Sequence, residues 1–330
     1  MSMYVSVLDD ESKLPDVTFS EAVMKGFAPD GGMYWPKEVP RFEKEELKTL
    51  AKKSYREQVE IVLSKFLSGS EDEDFTGDDL KDMFKSDDPF KRFGHKNVLR
   101  TKTIDALDLD VVELWHGPTL AFKDLGMCVL ARVLERIVKK RKTKLTLLVG
   151  TSGDTGSAAA EAVRGLDNIN LFVLYPKRNF SAITTIQERQ MTVVSEKESN
   201  VNCIAVEGGS DALDVPIENL FHSDAKRLFL GSVNSVNIVR LVVQTVRGVR
   251  ARKSILECTI DCDEHRYIIF TSISKHFRIW MGRWHFTFRA VREVILPLEF
   301  SLWRWDFRTA VSLQPQTRTV RCMISFRLVS

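Results

Sequence analysis

Glycine and lysine all but vanish from one end of this sequence. Of 17 glycines in 330 residues, only Gly248 and Gly282 fall in residues 246–330, together with just two lysines. No long apolar run occurs anywhere, which excludes a membrane-spanning helix. The opening stretch MSMYVSVLDDESK lacks a basic segment leading into an apolar one, which argues against a secretory signal. Five cysteines, an odd number, suit a reducing compartment better than a disulfide scaffold, and the chain reads as cytoplasmic. A strong charge of either sign is missing too: 48 Lys and Arg face 45 Asp and Glu, for a net +3, so no nucleic-acid partner is expected.

What is present is a core-forming composition, 44% apolar and 28% charged, at a length of about two domains. The small net charge conceals an imbalance. Residues 1–245 carry 33 Lys and Arg against 38 acids, whereas residues 246–330 carry 15 against 7 and hold four of the six tryptophans. Three parts follow: a helical, acid-rich N-terminal domain over residues 1–100, an α/β domain over 101–245, and a divergent basic tail over 246–330. In the first part, residues 42–67 place Leu47, Leu50, Val59, Val62, Leu63 and Phe66 at helical spacing. Segment 68–79, SGSEDEDFTGDD, reads as a solvated loop, since it lacks the alternating ligands of a Ca²⁺ loop.

From residue 107 onward, apolar strands alternate with helices. Strands are expected at 111–115, 145–149, 171–175 and 201–206, with helices after each, including 157–164, 183–195 and 211–223. Continuous apolar strands separated by helices indicate a parallel sheet of βαβ units covered on both faces. Ligands of such sheets bind beyond the carboxyl ends of the strands. Two loops there are unusual. In Trp115-His116-Gly117-Pro118-Thr119-Leu120-Ala121-Phe122-Lys123-Asp124, the lysine sits among apolar neighbours, which favours its neutral, nucleophilic amine. A solvated lysine and an ordinary loop histidine at 116 are the plain alternatives. In Gly150-Thr151-Ser152-Gly153-Asp154-Thr155-Gly156-Ser157, three glycines at a spacing of three open a helix whose free amides suit an anion. The spacing is neither that of a dinucleotide fold nor that of a P-loop, and a tight turn with hydroxyl caps is again the plain alternative. A lysine loop and an anion loop on adjacent strands together point to carbonyl chemistry on an amino acid.

The segments HGPTLAFKD and GTSGDTGSAA resemble those of threonine synthases and threonine synthase-like proteins, pyridoxal phosphate (PLP) enzymes of the tryptophan-synthase β fold (fold type II). The resemblance extends, in order, through YVS at 4–6, FSEAVMKGFAPDGGMYWP at 19–36, ELWHGPTLAFKD at 113–124, IQERQMTVV at 186–194, VEGGSDALDVPIENLF at 206–221 and SVNSVN at 232–237. ELWHG and VEGGSDALD are most similar to the second type of threonine synthase-like protein of animals. The resemblance implies that Lys123 carries PLP and moves the substrate's α-proton. It implies that Ser152, Gly153, Asp154, Thr155 and Gly156 hold the substrate carboxylate and the cofactor's ring-hydroxyl side. Asn234 and Asn237 fall in a motif of the active-site surroundings. The implied substrate is O-phosphohomoserine or O-phosphothreonine, and the reaction eliminates phosphate. No metal and no membrane are implied; self-association or association with a full-length homologue is the alternative, non-catalytic role.

Beyond residue 245 the resemblance stops. The family's P-x-G-N-x-G loop, which binds the PLP phosphate, has no counterpart around Gly248 or Gly282, so an incomplete fold and impaired activity are expected. Cys258, Cys262 and His265, with His276 or His285, lie at spacings outside the usual zinc patterns. Arg278, Trp280, Arg283, Trp284 and Phe286 interleave charge with rings, as in single-strand binders, yet no helical or alternating period accompanies them. With arginine outnumbering lysine 13 to 2, the tail reads as a stretch of different origin, spliced or frame-shifted, and without regular structure.

Overall fold

Before residue 100 the chain is built chiefly of helices. The computed structural model describes residues 3–9, 14–68, 72–104, 109–151, 153–177, 185–209, 211–223, 229–246, 267–271, 285–288, 305–312 and 321–328. Strand β1 (Tyr4–Ser6) pairs antiparallel with β2 (Tyr34–Pro36). Between them in sequence lies α1 (Phe19–Lys25), whose Thr18 hydroxyl accepts the Glu21 N–H as a cap. The helical run over 42–67 divides into α2 (Lys44–Ala51) and α3 (Tyr55–Leu67). Ser54 causes the break: its hydroxyl accepts the Glu57 N–H while the Glu57 carboxylate accepts the Ser54 N–H, a capping box that starts a new helix. Segment 68–79 is not solvated throughout. Asp72 and Phe75 are buried, and Asp72 accepts the Ser20 backbone N–H at 2.5 Å. Thr76 then caps α4 (Gly77–Ser86).

Strands β3 (Arg100–Ile104) and β4 (Leu109–Glu113) form an antiparallel pair. Alternation follows through α5 (Lys123–Arg141), β5 (Leu145–Gly150), α6 (Asp154–Val163), β6 (Ile169–Pro176), α7 (Thr185–Lys197), β7 (Val201–Val206), α8 (Asp211–Ser223) and β8 (Leu230–Gly231). The strands pair in the order β7-β6-β5-β8, all parallel. This is the expected α/β core. One expectation is corrected: β4, which leads into the lysine loop, is not a neighbour of β5 but belongs to a separate sheet with β3. The basic end of α5 finds its acids on and around α4. Arg132 meets Asp87 at 3.0 Å, Arg136 meets Asp82 at 2.8 Å, Lys140 meets Asp79 at 3.0 Å and Arg141 meets Asp74 at 2.7 Å.

A single cluster of buried apolar residues runs from Tyr4 to Val246. Hydrogen bonds span it: the Tyr55 hydroxyl donates to the Val243 carbonyl at 3.0 Å, in helical residues 238–246, and Tyr4 donates to the Phe66 carbonyl at 3.0 Å. The residues described within the tail form strands, although its sequence carries no clear period. Strand β9 (Tyr267–Thr271) lies parallel to β4, and β10 (His285–Phe288) and β11 (Trp305–Ser312) flank β12 (Arg321–Leu328) antiparallel. Cys258, Cys262, His265 and His276 lie outside the described residues, as do Arg278, Trp280, Arg283 and Trp284. Among the described residues, no helix is long and apolar enough to cross a membrane.

Candidate active site

Two helix starts converge although their preceding strands belong to different sheets. Lys123 is the first residue of α5 and Thr155 lies in the first turn of α6. The two helices pack, and the Lys123 Nζ donates to the Thr155 Oγ1 at 2.9 Å. The amine also stands 5.9 Å from the centre of the Phe122 ring. Half-burial, an aromatic wall and a hydroxyl partner restrict this lysine to few rotamers.

The glycine loop is shaped by Thr151, a residue that sequence reading passed over as a generic cap. Its hydroxyl is buried and accepts the N–H groups of both Gly153 and Gly156 at 3.0 Å. Those amides stand at the start of α6, where no intrahelical acceptor exists and Gly153 offers no side chain to cap them. Gly153 adopts φ +155°, a conformation that favours glycine. Gly156 is required for packing: a Cβ there would lie 2.5 Å from Thr151 Cγ2, 2.6 Å from Met191 Sδ and 2.7 Å from Val173 Cγ1. Asp154 accepts from the Gln187 Nε2 at 2.5 Å, which ties α6 to α7. Of the expected site residues, Lys123, Gly153, Asp154, Thr155 and Gly156 are brought together, and Ser152 lies outside the described residues. Asp154, Thr155 and Gly156 belong to the helix rather than to the loop before it.

His116 bonds through Nε2 to Glu113 Oε2 at 2.9 Å, with the His95 ring 5.1 Å away, which makes it a satisfied loop histidine. The two asparagines of the 232–237 motif have backbone partners. Asn237 is fully buried and donates to the carbonyls of Val23 and Ser232, fastening α1 to residues 231–239. Asn234 accepts the Ser235 N–H at 2.8 Å within its own turn. Beside the lysine loop, a cavity of about 480 Å³ opens between α6 and α7, lined in part by Thr119, Ser157, Arg164, Arg189 and Gln190.

The donor set fits an aldehyde cofactor at one end: a primary amine with a hydroxyl beside it, at a helix start whose Gly153 and Gly156 amides are taken by Thr151. For the cofactor's phosphate, residues 246–330 offer only Gly248 and Gly282. Among the described residues, no cluster of three or more His, Cys, Asp or Glu could hold a metal.

Comparison with known proteins places this geometry. Residues 3–86 match the family model "Threonine synthase N terminus". The chain is 41% identical over 253 residues to threonine synthase-like 2 of Mus musculus, covering 76% of this chain and 50% of that protein. It is 33% identical over 241 residues to threonine synthase of Pseudomonas aeruginosa, covering 72% and 49%. Among solved structures, PLP-bound threonine synthase from Brucella melitensis superposes with a TM-score of 0.66 at 36% identity, covering 77% of this chain and 52% of that one. Yeast threonine synthase gives 0.67 at 29%, covering 77% and 50%. The chain spans about half the length of the curated relatives it matches.

Proposed function

Since this chain belongs to the threonine synthases and threonine synthase-like proteins over about three quarters of its length, we propose that it binds PLP and acts on O-phosphorylated amino acids. The observation that carries the reading is the 2.9 Å bond between the Lys123 amine and Thr155, which joins a candidate nucleophile to the start of α6. When bound, PLP supplies the electron sink that lets phosphate leave. The chain's own residues do the rest. Lys123 would hold the cofactor, and its amine would take and return the substrate's α-proton. In the turn that Gly153 and Gly156 shape through Thr151, Ser152, Asp154 and Thr155 hold the substrate carboxylate by their backbone and hydroxyl groups and orient the reacting carbon. The cavity between α6 and α7, where Arg164 and Arg189 are paired with Glu161 and Glu196, is the place we assign to the substrate, O-phosphohomoserine or O-phosphothreonine.

The residues assigned to this site all fall in the α/β domain over 101–245, against which the N-terminal domain over 1–100 packs through α4 and α5; none is assigned from the tail over 246–330. Within residues 246–330 no glycine-rich loop for the cofactor's phosphate occurs, and the several charge-assisted hydrogen bonds that such a loop supplies, roughly 1.5–3 kcal/mol each, are not provided by these residues. In a second, non-catalytic reading, β7, an edge of the parallel sheet among the described residues, pairs with another copy or a full-length homologue.

The test is absorbance with added PLP and phosphate release from each ester, for the full chain and for Lys123→Ala. A visible band and phosphate release that the variant loses are expected. A wild type that stays colourless at saturating PLP ends the cofactor reading.

A further inference from the structure

Asp124 has no part in the chemistry assigned to Lys123, yet its side chain is wholly buried at the next position. A buried carboxyl is costly unless its oxygens are satisfied. Both oxygens turn back to one residue: Oδ2 accepts the Thr119 backbone N–H at 2.8 Å and Oδ1 accepts the Thr119 hydroxyl at 2.6 Å. Room for the carboxyl exists because residue 117 is glycine; a Cβ there would lie 2.3 Å from Oδ2.

The residue after Thr119 shows what these bonds hold in place. Leu120 sits at φ +60°, a region that costs a leucine about 1–2 kcal/mol, and its side chain is 46% exposed, so packing does not repay the strain. Its N–H donates to the Gly117 carbonyl at 3.1 Å, and the Asp124 N–H donates to the Ala121 carbonyl at 3.1 Å. A strained residue persists where its surroundings over-determine it. Residues 117–124 thus form a closed ring, fastened at Thr119 and Asp124, with Lys123 as its penultimate member.

We propose that Asp124 is a positioning residue that, with Thr119 as its partner, clamps the start of α5 so that the Lys123 amine meets Thr155. The inference rests on reading Lys123 as the cofactor-bearing amine. Burial pushes the Asp124 carboxyl up to about 6 against the pull of the Thr119 bonds and of the Ala121 backbone N–H, with Glu161 on α6 adding to the rise. The Thr119 hydroxyl can donate or accept, so the clamp has a partner in either protonation state.

The test uses the full chain with Thr119→Val, which deletes the hydroxyl at constant volume, and Thr119→Ser, which restores it. Two quantities are read by peptide mass at a temperature where circular dichroism shows each protein folded. One is the PLP concentration that half-saturates borohydride-fixed PLP on Lys123; the other is the rate of Lys123 acetylation by acetic anhydride with no PLP present. Loss of one hydrogen bond to a carboxylate predicts about a tenfold rise in the half-saturating PLP concentration for Thr119→Val, and about a threefold change in acetylation rate. Thr119→Ser stays within about twofold of wild type on both, a recovery that a merely structural threonine would not dictate. Wild-type values in folded Thr119→Val overturn the proposal. Should that variant not fold, Asp124→Asn, which keeps the shape and one acceptor oxygen, is judged by the same two criteria. Should wild type take up no PLP, the cofactor reading fails, while the acetylation rates still decide the clamp.

Discussion

The two loops that meet at Lys123 are tied down by different chemistry. In the lysine loop, the buried carboxyl of Asp124 accepts two donors from Thr119. In the glycine loop, the buried hydroxyl of Thr151 accepts two backbone amides. Each loop is therefore fixed by one buried oxygen-bearing side chain, which leaves Lys123 and Thr155 to face each other. The difference lies in what each tie costs. A hydroxyl is neutral at every working pH, whereas a buried carboxyl must either ionise against desolvation or hold a proton.

The contrast makes graded predictions. Thr151→Val keeps the volume but strands two buried amides, and a loss of about 4 kcal/mol in unfolding free energy is expected from urea titration. The loss should not vary with pH. Asp124→Asn should behave oppositely. The folded-state pKa of Asp124 is raised from 3.8 to about 6, so the folded chain binds the extra proton between those values. Its stabilising contribution is complete below the unfolded value and is lost as pH rises through about 6. Urea titrations of wild type and Asp124→Asn at pH 3.5 and 7 should therefore differ from each other by an amount that shifts by about 3 kcal/mol in the variant's favour on going to pH 7. A constant difference would mean that the carboxyl is not buried as described.

Gly156→Ala brings a methyl against Thr151, Met191 and Val173. Overpacking there should cost about 2 kcal/mol, more than the roughly 1 kcal/mol that alanine gains over glycine within a helix. Thermal melting of that variant beside Gly77→Ala, where a Cβ meets nothing within 4 Å, checks it. The smallest stability change belongs to Thr155→Val. It removes a partner of Lys123 on the face between the loops and should alter stability by less than about 1 kcal/mol while impairing PLP fixation.

Much of this was legible from the residues. The apolar runs at 145–149, 171–175 and 201–206 gave β5, β6 and β7 to within two residues, because a short apolar run bounded by polar residues marks a strand; burial on both faces was not realised, since β7 leaves Ile204 exposed. The glycine loop and Lys123 stood out by residue type and position. What the sequence left hidden was tertiary. Nothing local says that β4 leaves the parallel sheet, or that packing of α5 on α6, rather than strand adjacency, brings Lys123 to Thr155. Asp124 looked like any acid at a helix start, and its burial depends on the missing side chain at Gly117, seven residues back. One signal was available and unused: Ser54 with Glu57 three residues on is a capping box, and it marks the break between α2 and α3.

The most direct measurement is the site of PLP attachment. Full-length chain incubated with PLP, reduced with borohydride and mapped by peptide mass should carry the cofactor on Lys123 in preference to the other lysines, and Thr155→Val should reduce that labelling at unchanged fold. Labelling spread over exposed lysines such as Lys48 and Lys81, with Lys123 no more modified than they are, would contradict the account.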